Sequence, residues 1–221
     1  MVKRTKVKLA IAVMAHPSRM PMVAVLLDSL GRDDVTVIVD SEEAGPWPTA
    51  QRCWKSCPDD ATHMLILQDD VKVCRDFVAG AETVLSLRPQ SPVAFYANHK
   101  VVERARQQGI PWAKIPRSHG LGGVWGQAQC LPSSYIGPFL RWWDNKPEGE
   151  FEDFDNPKHD DWILGQFLKK NKKDVWATAP SLVQHMCPSD SLIGYSNKNK
   201  VARWYIGDNR SALSVNWFRG L

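Results

Sequence analysis

The chain has 221 residues, 43% hydrophobic and 24% charged, with a net charge of +4. That balance excludes a disordered chain, and the length supports a core without disulfide or metal staples. No apolar run approaches the ~18 residues of a membrane span.

Val7–Ala15, apolar but for Lys8 and closed by Pro17, reads as a central parallel strand. Its basic start imitates a signal peptide. The run Leu9–Ala15 is too short for one and ends in His16-Pro17-Ser18-Arg19, so it reads as a buried strand. Pro21–Leu30 has helical spacing and stops at Gly31. Val35–Val39 reads as a second strand ending at Asp40, followed by a Gly- and Pro-rich loop from Ser41 to Pro48. Thr49–Cys57 reads as a helix capped by Thr49 and ended by Pro58. His63–Leu67 is a third strand, with Gln68-Asp69-Asp70 at its C-terminal end.

Phe77–Leu87 reads as a helix and Pro92–Ala97 as a strand. This alternation predicts an α/β fold with a mostly parallel central sheet flanked by helices. Beyond residue 100 the pattern loosens. Val101–Gly109 reads as helix, Gly120–Leu131 as a strand entered from a glycine loop, and Pro138–Trp143 as a short helix. Asp160–Asn171 is a stronger helix, with Lys169 and Lys170 at the end the dipole favours. Asp174–Ala177 is a late strand, and the tail from Pro188 has no clear period.

Charge is unevenly spread. Residues 1–8, 98–119 and 195–221 are basic, whereas 141–161 holds eight acids against three bases. Such asymmetry suits an anionic ligand near one part and a metal or proton-transfer site near another. The ten Trp residues suggest stacking surfaces, although burial preference assigns most of them to the core. The five cysteines are odd in number and form no CxxC pair, which points to a reducing, cytoplasmic setting rather than a disulfide framework.

Three polar features carry chemistry. Ligands of open α/β sheets bind beyond the carboxyl ends of strands. His16 to Arg19, Asp40 and Gln68-Asp69-Asp70 all fall at such ends. Adjacent carboxylates repel unless a cation or donors offset them, and a hard divalent cation that also binds phosphate is one solution. An Asp pair capping the next turn is the other reading. Asp160-Asp161 opens a helix, where acids serve as caps or as a general base. His185 ends an apolar stretch before Ser189, Ser191 and Gly194, a loop able to present hydroxyls and N–H groups to phosphate.

Taken in order, Ala15-His16-Pro17-Ser18-Arg19, Asp40, Leu65-Ile66-Leu67-Gln68-Asp69-Asp70-Val71, Asp160-Asp161 and Pro180-Ser181-Leu182-Val183-Gln184-His185 resemble a glycosyltransferase of the GT-A fold, over roughly residues 7–195. The resemblance implies one domain over 1–221. Residues 1–100 would form a nucleotide-binding half, 101–194 an acceptor and metal half, and 195–221 a basic tail. It also implies Asp70 and His185 as ligands of Mn2+ or Mg2+, and Asp69 near the ribose or metal. Asp40 would face the uracil or ribose of a UDP-sugar. His16, Arg19, Arg52, Ser191 and Lys198 or Lys200 would contact the donor, and Asp161 or Asp160 would be the catalytic base. Gln68 departs from the family's Asp-x-Asp pattern.

A base among these carboxylates implies inversion at the anomeric carbon, with retention left open. The basic segments interleave with Trp112, Trp125, Trp204 and Trp217. Basic charge tracks a phosphate backbone and aromatics stack on bases. The chain also resembles small phage-type transferases that glycosylate hydroxymethylated pyrimidines in DNA, which would set it in a host cytoplasm. A glycan, lipid or protein acceptor is the alternative. A non-catalytic nucleotide- or nucleic-acid-binding module and a metal-dependent hydrolase are the rival classes.

Overall fold

A computed structural model describes residues 5–116, 124–146, 159–186 and 200–221. The first strand, β1 (Leu9–Ala15), is almost wholly buried, as its unbroken apolar run requires. A 3-10 turn, Pro17–Arg19, leads into α1 (Met20–Leu30), which Gly31 ends at φ 60°, its N–H bonded to the Leu27 and Asp28 carbonyls. Next come β2 (Thr36–Val39), α2 (Pro46–Lys55), β3 (His63–Gln68), β4 (Val71–Val73), α3 (Phe77–Leu87), β5 (Val93–Ala94) and α4 (Lys100–Gln108). The second half adds β6 (Trp112–Ile115), β7 (Ala128–Pro132), α5 (Ser133–Asp144), α6 (Asp160–Lys170), β8 (Val175–Thr178) and β9 (Val183–His185). Among the described residues no helix is long and apolar enough to cross a membrane.

The central sheet has seven strands in the order β2-β1-β3-β7-β5-β8-β6. The α/β class holds, but the sheet is more mixed than predicted. β1 is parallel to β2 and β3, and β5 to β8, whereas β7 runs antiparallel between β3 and β5, and β6 antiparallel at the edge. β4 and β9 form a separate antiparallel pair. Of the strand expected over Gly120–Leu131, residues 120–123 lie outside the described residues, and the strand formed, β7, is confined to Ala128–Pro132.

Two other expectations are corrected. α2 starts at Pro46, not at a Thr49 cap: Pro46 and Pro48 sit in the first turn, where a missing N–H costs nothing, and Thr49 is buried inside the helix. Of the Trp residues assigned to an aromatic surface, Trp112, Trp125 and Trp217 are core. Trp112 and Trp217 pack edge to face, and each indole N–H bonds a carbonyl.

Trp47, Trp54, Phe139, Trp143 and Phe167 join α2, α5 and α6 into one aromatic cluster. The tail is tied down as well. A second 3-10 turn, Ala212–Ser214, lies on α3, where Gly80 lets Ala212 approach so closely that a Cβ would come within 2.3 Å of the Ala212 methyl. Cys53, Cys57, Cys74 and Cys130 are free thiols, and Cys187 lies outside the described residues.

Candidate functional site

The register Met14↔Gln68 between β1 and β3 makes the residues beyond both strands neighbours. The His16 N–H donates to Asp69 Oδ2 at 2.6 Å. The turn Pro17–Arg19 then brings the guanidinium back over the strand end, where Arg19 Nη1 donates to Asp69 Oδ1 at 3.0 Å and to Asp70 Oδ2 at 2.6 Å. Both carboxylates are nearly closed off, with side chains 7% and 8% exposed. The His16 ring faces its own turn, with Nδ1 2.8 Å from the Ser18 hydroxyl.

The β4–β9 pair sets Val71 opposite His185 and so delivers the imidazole to Asp70. His185 Nε2 lies 3.1 Å from Asp70 Oδ2, and Nδ1 lies 3.0 Å from the Lys200 carbonyl oxygen. A carbonyl only accepts, so Nδ1 carries the hydrogen. A neutral ring would then turn the Nε2 lone pair onto a carboxylate oxygen. A second ring proton, or a cation shared by both groups, removes that conflict. Burial pushes the Asp70 carboxyl up, but the His185 hydrogen bond and charge together with Arg19 outweigh it and hold the group below the usual range. Asp69 goes the other way, raised by burial despite His16 and Arg19.

Asp70 Oδ1 is buried with no hydrogen-bond partner. An orphaned carboxylate oxygen and an imidazole whose far nitrogen is anchored on a carbonyl are two donors of the kind a divalent cation takes. Among the described residues no group of three or more His, Cys, Asp or Glu side chains is arranged to hold a metal, and Arg19 is the positive charge at the pair.

The second carboxylate pair reaches the same end of the sheet through β7, whose first residue pairs with Leu67 near the end of β3. Gln129, a lone polar residue in a buried strand, donates from Nε2 to Asp160 Oδ2 at 2.5 Å. The Gly126 N–H donates to Asp161 Oδ2 at 3.3 Å, and the Trp162 N–H to Asp161 Oδ1 at 2.7 Å. A Cβ on Gly126 would lie 2.5 Å from Gln68 Nε2 and 3.6 Å from Asp160 Oδ1, so this glycine lets Gln68 and the pair converge. Burial raises Asp160, and the Asp161 charge adds to it. Burial also raises Asp161, against the pull of His159 and Lys200. Asp160 is 3% exposed, whereas Asp161 keeps partial exposure. A partly exposed carboxylate with raised basicity is suited to accept a proton.

Asp40 sits beyond β2, and its two oxygens accept the Ala44 and Gly45 N–H groups at 2.9 Å each, which fixes the loop entering α2. Arg52 lies 3.8 Å from Asp40 and donates to the Val39 carbonyl. Ser191 and Lys198 lie outside the described residues. His16, Arg19, Asp69, Asp70 and His185 thus form one hydrogen-bonded group, Asp160 and Asp161 lie beside Gln68, and Asp40 with Arg52 stand at the neighbouring strand end. Sequence reasoning missed Gln129, Gly126 and the Lys200 carbonyl. A lone Gln inside an apolar strand was a readable signal, whereas a backbone carbonyl leaves none. No family model matches the chain, and no curated protein matches it significantly.

Proposed function

We propose that the protein is a GT-A-type glycosyltransferase that moves a sugar from a UDP-sugar to an acceptor hydroxyl. One observation carries this reading. Asp70 and His185, more than a hundred residues apart in sequence, meet at 3.1 Å beyond the C-terminal end of β3, with Asp69 next to them and Asp160-Asp161 beside Gln68 at the same strand end. Paired carboxylates and an imidazole beyond parallel strands support this reading, because ligands of open α/β sheets bind there and a nucleoside diphosphate travels with a counter-cation.

In this reading Asp70 and His185 would hold Mn2+ or Mg2+, which when bound supplies positive charge where the leaving diphosphate develops negative charge. Arg19, already at the carboxylates, faces the diphosphate, with His16, Asp69, Arg52, Ser191 and Lys198 as further donor contacts and Asp40 toward the nucleoside. Asp161 takes the proton from the acceptor hydroxyl, which gives inversion. Asp160, held by Gln129, positions it. The acceptor we favour is a hydroxymethylated pyrimidine in DNA.

Thermal stabilisation tests the donor half. UDP with Mn2+ should raise the Tm more than UDP, Mn2+ or GDP with Mn2+. Asp70→Ala and His185→Ala should each abolish the metal-linked part while remaining folded. An undiminished metal-dependent response in both variants would overturn the assignment. Offering UDP-sugars with hydroxymethylcytosine DNA, plain DNA and simple glycans tests the acceptor. Labelling of a glycan alone would eliminate DNA and keep the transferase.

A further inference from the structure

The fold joins basic segments that the sequence keeps apart. The Arg203 N–H donates to the Ala97 carbonyl, and its guanidinium reaches Glu103 at 3.6 Å. Arg106 lies 5.5 Å from the Trp204 ring centre, and Arg219 closes over Gly109, where a Cβ would come within 2.8 Å of Nη1. Between α4 and the tail runs a groove of about 300 Å³. Ile110, Pro111, Ile206 and Val215 give it an apolar floor, Trp204 forms part of its wall, and Arg210 and Arg219 stand on its rim.

The charge of this surface is not cancelled locally. Of its acids, Glu103 is engaged by Arg203, and Asp208 by Lys72 at 2.8 Å. Arg104, Arg106, Arg210 and Arg219 make no ion pair among the described residues. An apolar cleft with one indole wall and arginines outside matches an unstacked base with a phosphate on either side. Its volume is at the lower end for small organic ligands, about 300–1,000 Å³, and too small for a duplex.

We propose that this groove binds a single-stranded or extruded nucleotide segment, with the base against Trp204 and the flanking phosphates on Arg210 and Arg219. The groove borders the candidate site through one stretch of chain. Lys200 gives its carbonyl to His185, and four residues later Trp204 enters the groove, a separation of at most about 14 Å for extended chain. A nucleotide held here therefore lies within about 14 Å of chain from the carbonyl that orients His185. The use of the strand as acceptor rests on the transferase reading, but its binding does not.

The test is fluorescence anisotropy of a labelled oligothymidine, without donor or metal, between 50 and 200 mM salt (conditions on the order of those where counterion release is read). A duplex and heparin serve as comparisons. The single strand should bind more tightly than the duplex. Arg210→Ala and Arg219→Ala should each flatten the plot of log affinity against log salt by about 0.7. Trp204→Ala should weaken the oligonucleotide roughly 5- to 150-fold with the slope unchanged. Trp204→Phe should retain most of the binding, which separates stacking from a folding defect. Heparin affinity should not respond to Trp204→Ala.

Absence of oligonucleotide binding at the lowest salt, or equal loss of heparin binding in Trp204→Ala, would overturn the proposal. So would loss of UDP-dependent stabilisation in the arginine variants, because the groove would then belong to the donor. Oligonucleotide binding with no response to UDP and Mn2+ would instead leave the groove standing and remove the transferase.

Discussion

Replacing Arg19 by Met tests whether the carboxylate pair depends on a protein-borne cation. The guanidinium meets Asp70 at 2.6 Å and Asp69 at 3.0 Å, and all three side chains are at most 13% exposed. At an effective dielectric of about 20, each contact is worth about 6 kcal/mol of gross attraction. Desolvation offsets much of this, so removing the one partner should cost about 3–5 kcal/mol, the usual result of leaving buried charge uncompensated. Asp69 is already raised by burial, and Asp70 is held down only because His185 and Arg19 outweigh burial. Without Arg19 both folded-state values rise. A raised carboxyl contributes its stability below the unfolded range and loses it as pH rises through the folded value. The deficit of Arg19→Met should therefore be small near the ordinary carboxylate range and grow toward neutral pH. Urea unfolding across that window, with and without Mn2+, reads both effects. Mn2+ should recover part of the loss in the variant and change the parent little. A deficit independent of both pH and Mn2+ would mean that Arg19 contributes packing alone and that the electrostatic account of the site is wrong.

Asp161→Asn should leave UDP-linked stabilisation near the parent value and lower turnover about 100- to 10,000-fold, as loss of a general base does; full activity, read as UDP release, would reduce the pair to a helix start. Asp160→Asn should raise stability above the ordinary carboxylate range and not below it, because burial and Asp161 raise that carboxyl and its ionisation is costly; the check is the difference in Tm between acidic and neutral buffer. Gly80→Ala should lower the unfolding free energy read by urea titration by about 1–3 kcal/mol, because two backbone-fixed methyls would stand 2.3 Å apart, and an unchanged midpoint would show that the tail does not rest on α3.

The elements that could be read from sequence were those defined by their own residues. α3 begins and ends where its periodicity does, and β1 declared itself by an uninterrupted apolar run. β4 and β6 were not readable, because three or four residues acquire strand character only from β9 and β8, far along the chain. Strand direction escaped for a related reason. The alternation of apolar residues is the same whether β7 runs up or down, so a mixed sheet looks parallel from its pattern. In the site, Asp69, Asp70 and His185 stood out because carboxylates and an imidazole fall where apolar runs end. The bridging geometry of Arg19 depends on a turn folding back across the sheet, and nothing in its sequence neighbourhood encodes that.

The imidazole of His185 takes its orientation from main chain, since the acceptor for Nδ1 is the carbonyl of residue 200. Every amino acid carries that carbonyl. Position 200 can therefore drift through side-chain substitutions while continuing to fix the ring, and an alanine scan would pass over it without a signal. The Lys200 side chain contributes charge toward Asp161, and that contribution is separable. Lys200→Ala removes an ammonium from one carboxylate and leaves the tautomer at the other intact. A backbone edit, exchanging the amide that follows residue 200 for an ester, weakens the carbonyl as an acceptor and reaches the ring with every side chain in place.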